Sequence, residues 1–192
     1  MTAYDKDNIF AKILRGEIPC HKVYEDEHTF AFMDIMPRCP GHTLVIPKAP
    51  ARNILDIDPD SLAHVVRTAK KIAVAAMTAF KADGITLQQF SEHAGGQVVF
   101  HLHVHIMPRK EGVALLPPAS RKEDVKVLED HVERPSKVLP AEIMDPLEEC
   151  EVCLYAVFPQ QGELVSRQQF VRRVEARGIR YAHMVGITEE IM

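Results

Sequence analysis

Three histidines, His101, His103 and His105, occupy alternate positions in the segment HLHVHIMPR, residues 101–109. In a β-strand, successive side chains point to opposite faces, so the three rings share one face while the apolar residues between them face a core. On a helix, the same spacing would spread the rings over roughly 200° of the surface. The pattern therefore predicts a strand that presents three imidazoles side by side.

Such a row of imidazoles is suited to two kinds of chemistry. Neutral imidazole is the commonest zinc ligand, and alternate residues of a strand can converge on one ion. One neutral imidazole can instead attack phosphorus as a nucleophile while its neighbours handle protons and charge. No H-x-x-E-H or H-E-x-x-H pattern accompanies the row. The spacing by itself leaves both chemistries open.

Two neighbouring segments add to the chemical character of the histidine row. The turn AGGQ, residues 94–97, comes just before it, and the backbone N–H groups of such a turn can approach an anionic oxygen closely. Earlier in the chain, PGHTLVIPK places His42 and Lys48 at the two ends of an apolar run. These surroundings favour chemistry on a phosphate over a metal site.

The elements that must position these residues follow from the hydrophobic pattern. Five β-rich runs are predicted at residues 20–26, 28–35, 42–48, 85–90 and 98–108. A long helix is predicted from Asp58 to Asp83, with Pro59 in its first position and Gly84 ending it. A short helix follows Asp7, its predicted N-cap. The pattern indicates an α+β fold, a five-stranded antiparallel sheet with one long and one short helix on one face.

Composition narrows the class of protein and its partners. The chain has 192 residues, 46% of them hydrophobic, and a formal net charge of −4, which gives no overall attraction to nucleic acid or to a membrane surface and leaves open a local basic groove. Its first 17 residues carry charges throughout, which predicts no secretion signal, and no run of 18 apolar residues occurs. With four cysteines expected to be reduced, the sequence predicts a cytoplasmic protein.

Taken together, three segments resemble the histidine-triad (HIT) family of nucleotide hydrolases and transferases. They are IFAKILRGEIP, FAFMDIMPRCPGHTLVIPK and GGQVVFHLHVHIMPR, and the resemblance covers residues 7–115. It implies that His103 attacks the α-phosphorus of a nucleotide and forms a nucleotidyl-histidine, which water then hydrolyses. It implies that His101 and His105 bond the phosphoryl oxygens and the leaving group, with His42 behind them. The family needs no metal or other cofactor.

The resemblance also implies a nucleotide pocket, whose base is expected to be a purine. The matching positions are Asp34 for the ribose hydroxyls, Phe10, Phe32 and Ile35 for the base, and Gly96, Gln97 and Ser91 for the phosphate region. A carboxylate suits the ribose because it has two acceptor oxygens. A homodimer is a further property that the resemblance implies.

The chain departs from the family pattern at several positions. Val98 stands where the family usually has Ser or Thr, and Ser91 stands where an Asn is common. Pro50 replaces a histidine found in one branch, and the N-terminal cysteine pair of some zinc-holding relatives is absent. These differences leave the nucleophile in place and bear on the efficiency and the substrate preference.

The resemblance implies a hydrolase of nucleoside phosphoramidates or adenylylated compounds, since the N-terminal helix and the GEIP segment resemble the small phosphoramidase branch. Two alternatives stay open. The ending HIMPRKEG also suits a diadenosine polyphosphate hydrolase. The loss of a hydroxyl at Val98 suits a nucleotide-binding module with little turnover.

The order of the chain suggests three parts. Residues 1–115 are predicted to form the catalytic domain, residues 116–149 a helix and proline-containing linker, and residues 150–192 an extension. In the extension, Cys150 and Cys153 have the spacing of a zinc pair, but a second pair is missing. They are expected to be reduced thiols.

Overall fold

A five-stranded antiparallel sheet lies at the centre of the protein. The computed structural model describes residues 3–138. Its strands are β1 (Lys22–Glu25), β2 (Thr29–Met33), β3 (Thr43–Pro47), β4 (Gly84–Gln88) and β5 (Val104–Arg109). They lie side by side in the order β1-β2-β3-β5-β4, with every neighbouring pair antiparallel. The predicted α+β sheet is confirmed, and β5 lies inside it, between β3 and β4.

Three helices accompany the sheet: α1 (Ile9–Leu14), α2 (Pro59–Ala79) and α3 (Val125–Ser136). The predicted cap of α1 was wrong by one residue, because Asn8 and not Asp7 accepts hydrogen bonds from the first free N–H groups. Helix α2 begins as predicted, with Asp58 as its cap. It ends before the predicted Asp83 because Lys81 adopts a left-handed conformation, φ +48°, which a helix cannot continue.

Both faces of the sheet are covered by helices, which corrects the expectation of helices on one face only. Strand β2 shows the division. Ala31 and Met33 pack in a cluster with Ile72 of α2, whereas Phe30 and Phe32 pack on the opposite side with Phe10 of α1. Every residue of β2 and β3 is buried. The centre of the sheet is therefore a rigid frame, and it leads directly to the segments that carry the histidines.

Helix α3 lies where a helix was predicted within the region between residues 116 and 149. It packs against α2 and β1, and its Leu128 is 2% exposed in the cluster shared with α2. None of the helices between residues 3 and 138 is long and apolar enough to cross a membrane. The predicted extension, residues 150–192 with Cys150 and Cys153, lies outside the described residues.

Gly41 is the glycine on which the approach to β3 depends. Its φ is +78°, and a Cβ placed there would lie 2.5 Å from the ring of Phe80, which follows α2. Both the backbone conformation and the space require glycine. The residue after it is His42, so the packing of Phe80 on Gly41 helps to hold that histidine in place.

We therefore expect Gly41→Ala to lower the free energy of unfolding by about 2–4 kcal/mol, the sum of the cost of a left-handed alanine and of overpacking. Gly112→Ala is the matched control, because Gly112 has φ +72° with no atom within 4 Å of its added Cβ. It should lose only the backbone part, roughly 1–2 kcal/mol. Urea unfolding measures both, and equal losses would show that Phe80 yields without cost.

Candidate active site

The alternation predicted that all three histidines lie in one strand. That prediction was wrong for two of them. Strand β5 begins at Val104, so only His105 belongs to it. The pairing with β3 runs from Thr43↔Ile106 to Val45↔Val104 and ends near Pro47, which has no N–H to continue a ladder. His101 and His103 lie in the extended segment before β5.

His101 is completely buried, and both of its ring nitrogens have partners. Its Nε2 lies 2.9 Å from the carbonyl oxygen of Pro47, and its Nδ1 lies 2.5 Å from the hydroxyl of Tyr4. A carbonyl oxygen can only accept, so Nε2 carries the proton and Nδ1 accepts from Tyr4. This proton position is inferred from the partners. His101 is therefore a neutral ring held at both ends, with no nitrogen left for a ligand.

His103 has the opposite arrangement. Its Nδ1 lies 2.7 Å from the carbonyl oxygen of His101 and must donate to it. In a neutral ring, Nε2 then holds a free lone pair, and no hydrogen bond of the described residues occupies it. The edge of Phe10 contacts the ring, with the centroids 5.1 Å apart. This proton position suits the ring of His103 to nucleophilic attack through Nε2.

His105 and His42 form a pair. The backbone N–H of Arg38 donates to His42 Nδ1 at 3.2 Å, so the proton of His42 sits on Nε2. That Nε2 lies 2.9 Å from His105 Nδ1 and donates to it. His105 then carries its own proton on Nε2. The pair leaves one N–H, that of His105, available to an anionic ligand.

Asp34 lies beside this pair. Its Oδ1 accepts the N–H of Met36 at 2.8 Å, and its Oδ2 is 3.4 Å from His42 Nδ1. One ligand atom each from Asp34, His42 and His105 lies within 4.8 Å of the others, the set best placed for a metal among residues 3–138. Both nitrogens of His42 are already hydrogen-bonded, and the positive charge of Arg38 acts on both histidines. This environment suits neutral histidines better than a cation.

Burial keeps all four histidines neutral. It lowers the pKa of His101 and of His42 to about 4 and that of His105 to about 3, and it also lowers the pKa of His103. The cause is desolvation, which penalises the charged ring. For His103, the bond to the carbonyl of His101 and the charge of Asp34 work in the other direction. Neutral rings at neutral pH are what nucleophilic attack requires.

Gln97 holds the turn before the histidines. Its Oε1 accepts from Asn53 Nδ2 and from the N–H of Glu92, and its Nε2 donates to the carbonyls of Arg52 and Val99. These four bonds use both donor hydrogens and both acceptor sites of the amide. The amide of Gln97 therefore has no free donor or acceptor for the expected contact with a phosphate. Its side chain instead holds the turn in place.

Glu92, at the start of the same turn, has a backbone conformation that is rare outside glycine, φ +61° and ψ 166°. Its carboxylate binds the buried guanidinium of Arg52 with two contacts of 2.9 Å and accepts from Asn53 Nδ2. Such strain persists only where the surroundings over-determine it. Here the contacts with Arg52 and Asn53 hold Glu92 in this strained conformation, which indicates that the shape of the turn is important.

The glycines of the turn use their own N–H groups. Gly95 and Gln97 donate to the carbonyl of Glu92, and Gly96 donates to that of His93. Gly96 has φ +89°, as such a turn requires. The N–H groups of Val98 and Val99, just after the turn, have no acceptor among the described residues. Between Gly95 and Val99, the backbone N–H groups left without an acceptor among the described residues are thus those of Val98 and Val99 and not those of the glycines.

The remaining predicted pocket residues are three apolar side chains and one serine. Phe10 and Phe32 are buried and contact each other edge to face, while the side chain of Ile35 is 39% exposed next to Asp34. Ser91 donates its hydroxyl to Gln89 within its own segment, at 3.1 Å. Phe90, which the sequence analysis did not single out, packs its ring against His105.

Val98 is 84% exposed and therefore does not point into the core. It lines a cavity of about 470 Å³. Asp5 and Ile9 line the N-terminal side of this cavity, and Glu92 and its partner Arg52 line the side of the turn. None of the four histidines lines this cavity. The volume is typical of a small-molecule site.

Sequence reasoning missed Tyr4, Arg38, Arg52 and Asn53. Tyr4, Arg52 and Asn53 contact atoms far along the chain, as when the hydroxyl of Tyr4 meets His101. The N–H of Arg38 orients the ring of His42, four residues later. The one available signal was the polar pair Arg52-Asn53 directly after an apolar strand and PKAPA. Tyr4 carried no such signal.

The neutral, buried histidines make stability depend on pH. Unfolded histidine has a pKa of 6.5, so below that pH the histidines of the unfolded chain bind protons, whereas native His42, His101 and His105 stay neutral. Their effect on the free energy of unfolding is therefore absent above about pH 6.5, and stability declines as the pH falls towards 4. We expect each to reduce the free energy of unfolding by about 1.4 kcal/mol per pH unit.

His101→Gln tests this dependence, since an amide offers one donor and one acceptor but does not titrate. Urea unfolding between pH 5 and 6.5 should show a slope smaller by about one proton. His28→Gln makes the same substitution at a histidine whose side chain is 47% exposed and serves for comparison. An unchanged slope in His101→Gln would mean that native His101 is protonated.

Comparison with known proteins agrees with this geometry. Residues 15–112 match the model of the HIT domain. An uncharacterized HIT-like protein of Methanocaldococcus jannaschii is 43% identical over 54% of this chain and 80% of its own length. Adenylylsulfatase HINT3 of Arabidopsis thaliana is 39% identical over 55% of this chain and 53% of its own.

Among solved structures, a HIT-like protein involved in cell-cycle regulation from Bartonella henselae superposes with a TM-score of 0.70. It is 51% identical, and the match covers 72% of this chain and all of that one. The matched segment includes the neutral, hydrogen-bonded histidines and the turn that precedes them. The chain belongs to the HIT family.

Proposed function

We propose that this protein is a nucleotide hydrolase that cleaves a bond to the α-phosphorus of a nucleoside phosphoramidate or an adenylylated compound. One observation carries the proposal: His103 donates from Nδ1 to the carbonyl of His101, which leaves the lone pair of Nε2 free to attack. A nucleophilic imidazole has to be neutral and to hold its proton on the far nitrogen. His103 meets both conditions.

The donor next to His103 suits a phosphoryl centre. The ring of His105 lies with its centroid 5.0 Å from that of His103, and its Nε2–H is available to a ligand. A donor fixed before the reaction stabilises charge that develops on phosphoryl oxygens.

The reaction proceeds in two displacements. In the first, Nε2 of His103 forms a bond to the α-phosphorus while the bond to the leaving group breaks; the Nε2–H of His105 donates a hydrogen bond to the departing atom, which takes its proton from solvent. In the second, water attacks the phosphorus, the P–N bond to His103 breaks, and the proton of the attacking water passes to solvent, so His103 and His105 end as neutral rings. The products are the nucleoside monophosphate and the free leaving group, and no metal or cofactor takes part.

The nucleoside end is proposed to bind near Asp34, with an adenine-like purine near Phe10, Phe32 and the exposed Ile35. Asp34 keeps Oδ2 free of backbone bonds for a ribose hydroxyl, and Phe10 contacts the ring of His103. The relative from Arabidopsis thaliana is named an adenylylsulfatase, which supports an adenylylated substrate. Cys20 and Cys39 form no disulfide within residues 3–138, which supports a reducing, cytoplasmic setting.

The first test is to replace the nucleophile. His103→Gly should lower kcat for adenosine phosphoramidate by roughly 10³-fold or more, because the first step loses its attacking atom. Added imidazole should restore part of the rate, since it fits the space of the missing ring. Mass spectrometry of the quenched wild-type protein should show one adenylyl group, absent from the variant.

His64→Gly serves as a control on a histidine outside the site and should keep full activity. Parallel assays with adenosine phosphosulfate, diadenosine triphosphate and diadenosine tetraphosphate rank the substrates, and we expect the phosphoramidate or the phosphosulfate to lead. Full activity in His103→Gly would end the covalent mechanism. Tight binding of adenosine monophosphate with no turnover of any substrate would favour the alternative of a binding module.

We also propose that the protein is a homodimer. Strand β4 lies at an edge of the sheet, where its Leu87 is 53% exposed. Val66 and Val74 of α2 are more than half exposed as well. An unpaired strand edge and exposed large apolar side chains are both features that an interface covers.

Multi-angle light scattering at micromolar concentration should therefore give twice the chain mass of 21.6 kDa. Leu87→Lys is expected to shift the distribution towards the monomer, because a desolvated charge is costly in an interface. Leu116→Lys, at an exposed loop position, is the matched control. A wild-type mass near 21.6 kDa would contradict the dimer.

A further inference from the structure

Tyr4 contacts the first histidine of the row although 97 residues separate them. Its hydroxyl lies 2.5 Å from His101 Nδ1, and the two rings meet edge to face with centroids 5.6 Å apart. Burial raises the pKa of Tyr4, so the hydroxyl keeps its proton and acts as a donor. The other end of the His101 ring is bound to the carbonyl of Pro47 in β3.

The effect of this contact reaches the nucleophile through one peptide group. The carbonyl of His101 is the acceptor that holds the Nδ1 proton of His103. Since the side chain and the carbonyl of His101 share one Cα, a ring fixed at both ends also fixes the direction of that carbonyl. The segment needs such support because it precedes β5 and, among residues 3–138, its only backbone bond to another segment is that from Leu102 to Ala51.

We propose that Tyr4 is a positioning residue: its hydroxyl fixes the ring of His101 so that the carbonyl of His101 holds His103 with Nε2 facing the phosphorus. This inference rests on the proposed function. It assigns a catalytic contribution to the segment before α1. It also gives His101 a structural part in the reaction, in place of the expected direct bond to the substrate.

Without the hydroxyl, Nδ1 of His101 has no described donor to replace it. The nearest ring other than Tyr4 is that of Phe10, whose centroid is 6.3 Å away and which offers only an apolar edge. A shift of the proton to Nδ1 would turn the lone pair of Nε2 towards the carbonyl oxygen of Pro47, which repels it. A buried acceptor that loses its donor costs more than the bond itself contributed. The ring therefore has no equivalent second arrangement.

Tyr4→Phe removes the hydroxyl and keeps the aromatic ring. We expect kcat for adenosine phosphoramidate to fall on the order of tenfold while KM changes less than about twofold, since no substrate contact is lost. In ¹⁵N-labelled protein, the Nδ1 resonance of His101 should shift. The Nδ1 proton of His103 should exchange faster with solvent.

Tyr24→Phe is the matched control, because Tyr24 accepts a hydrogen bond from Lys71 on the α2 side of the sheet. It should leave kcat and both histidine signals unchanged. An active wild type whose Tyr4→Phe variant keeps its kcat, or loses kcat without a change at His101 and His103, would overturn the role of Tyr4. A wild type inactive on every substrate would overturn the proposed function instead, so the two failures are distinguishable.

Discussion

An imidazole that is buried away from water stays neutral, and a neutral imidazole carries one N–H and one lone pair. Every other property of this site follows from where those single protons sit. His101 uses both nitrogens within the protein and His42 does the same, so neither has a group left for a ligand. His103 keeps a lone pair and His105 keeps an N–H, and these two groups support the proposed attack on phosphorus.

The protein holds these protons with backbone carbonyls and N–H groups more than with charges. Pro47 is central to this arrangement because it ends the ladder between β3 and β5 and offers its own carbonyl to His101. A regular strand would have used that carbonyl in the ladder. The segment before β5 is consequently positioned by other parts of the chain. These are Tyr4, which contacts His101, and the strained turn at Glu92.

Several features of the site could be predicted from local pattern, and others could not. The alternation predicted Leu102 and Ile106 in the core, and both are completely buried. It also predicted one strand through all three histidines, whereas β5 begins only at Val104. The role of Gln97 could not be predicted, because its four partners come from three separate segments. The cap of α1 was missed by one residue, since Asp7 and Asn8 are equally good caps and only the path of the chain selects between them.

By itself, the sequence determined the α+β sheet, the order of its elements and the row of three histidines, because hydrophobic periodicity and turn residues act over a few neighbours. The tertiary structure alone decided which nitrogen of each ring carries the proton. That choice depends on whether a donor or an acceptor stands opposite. For His101 those atoms come from Tyr4 and Pro47, which are 97 and 54 residues away along the chain. For His42 the donor is the N–H of Arg38, four residues earlier, which the fold of that loop directs towards the ring. A residue's type specifies what it can donate or accept, and only the fold specifies to what.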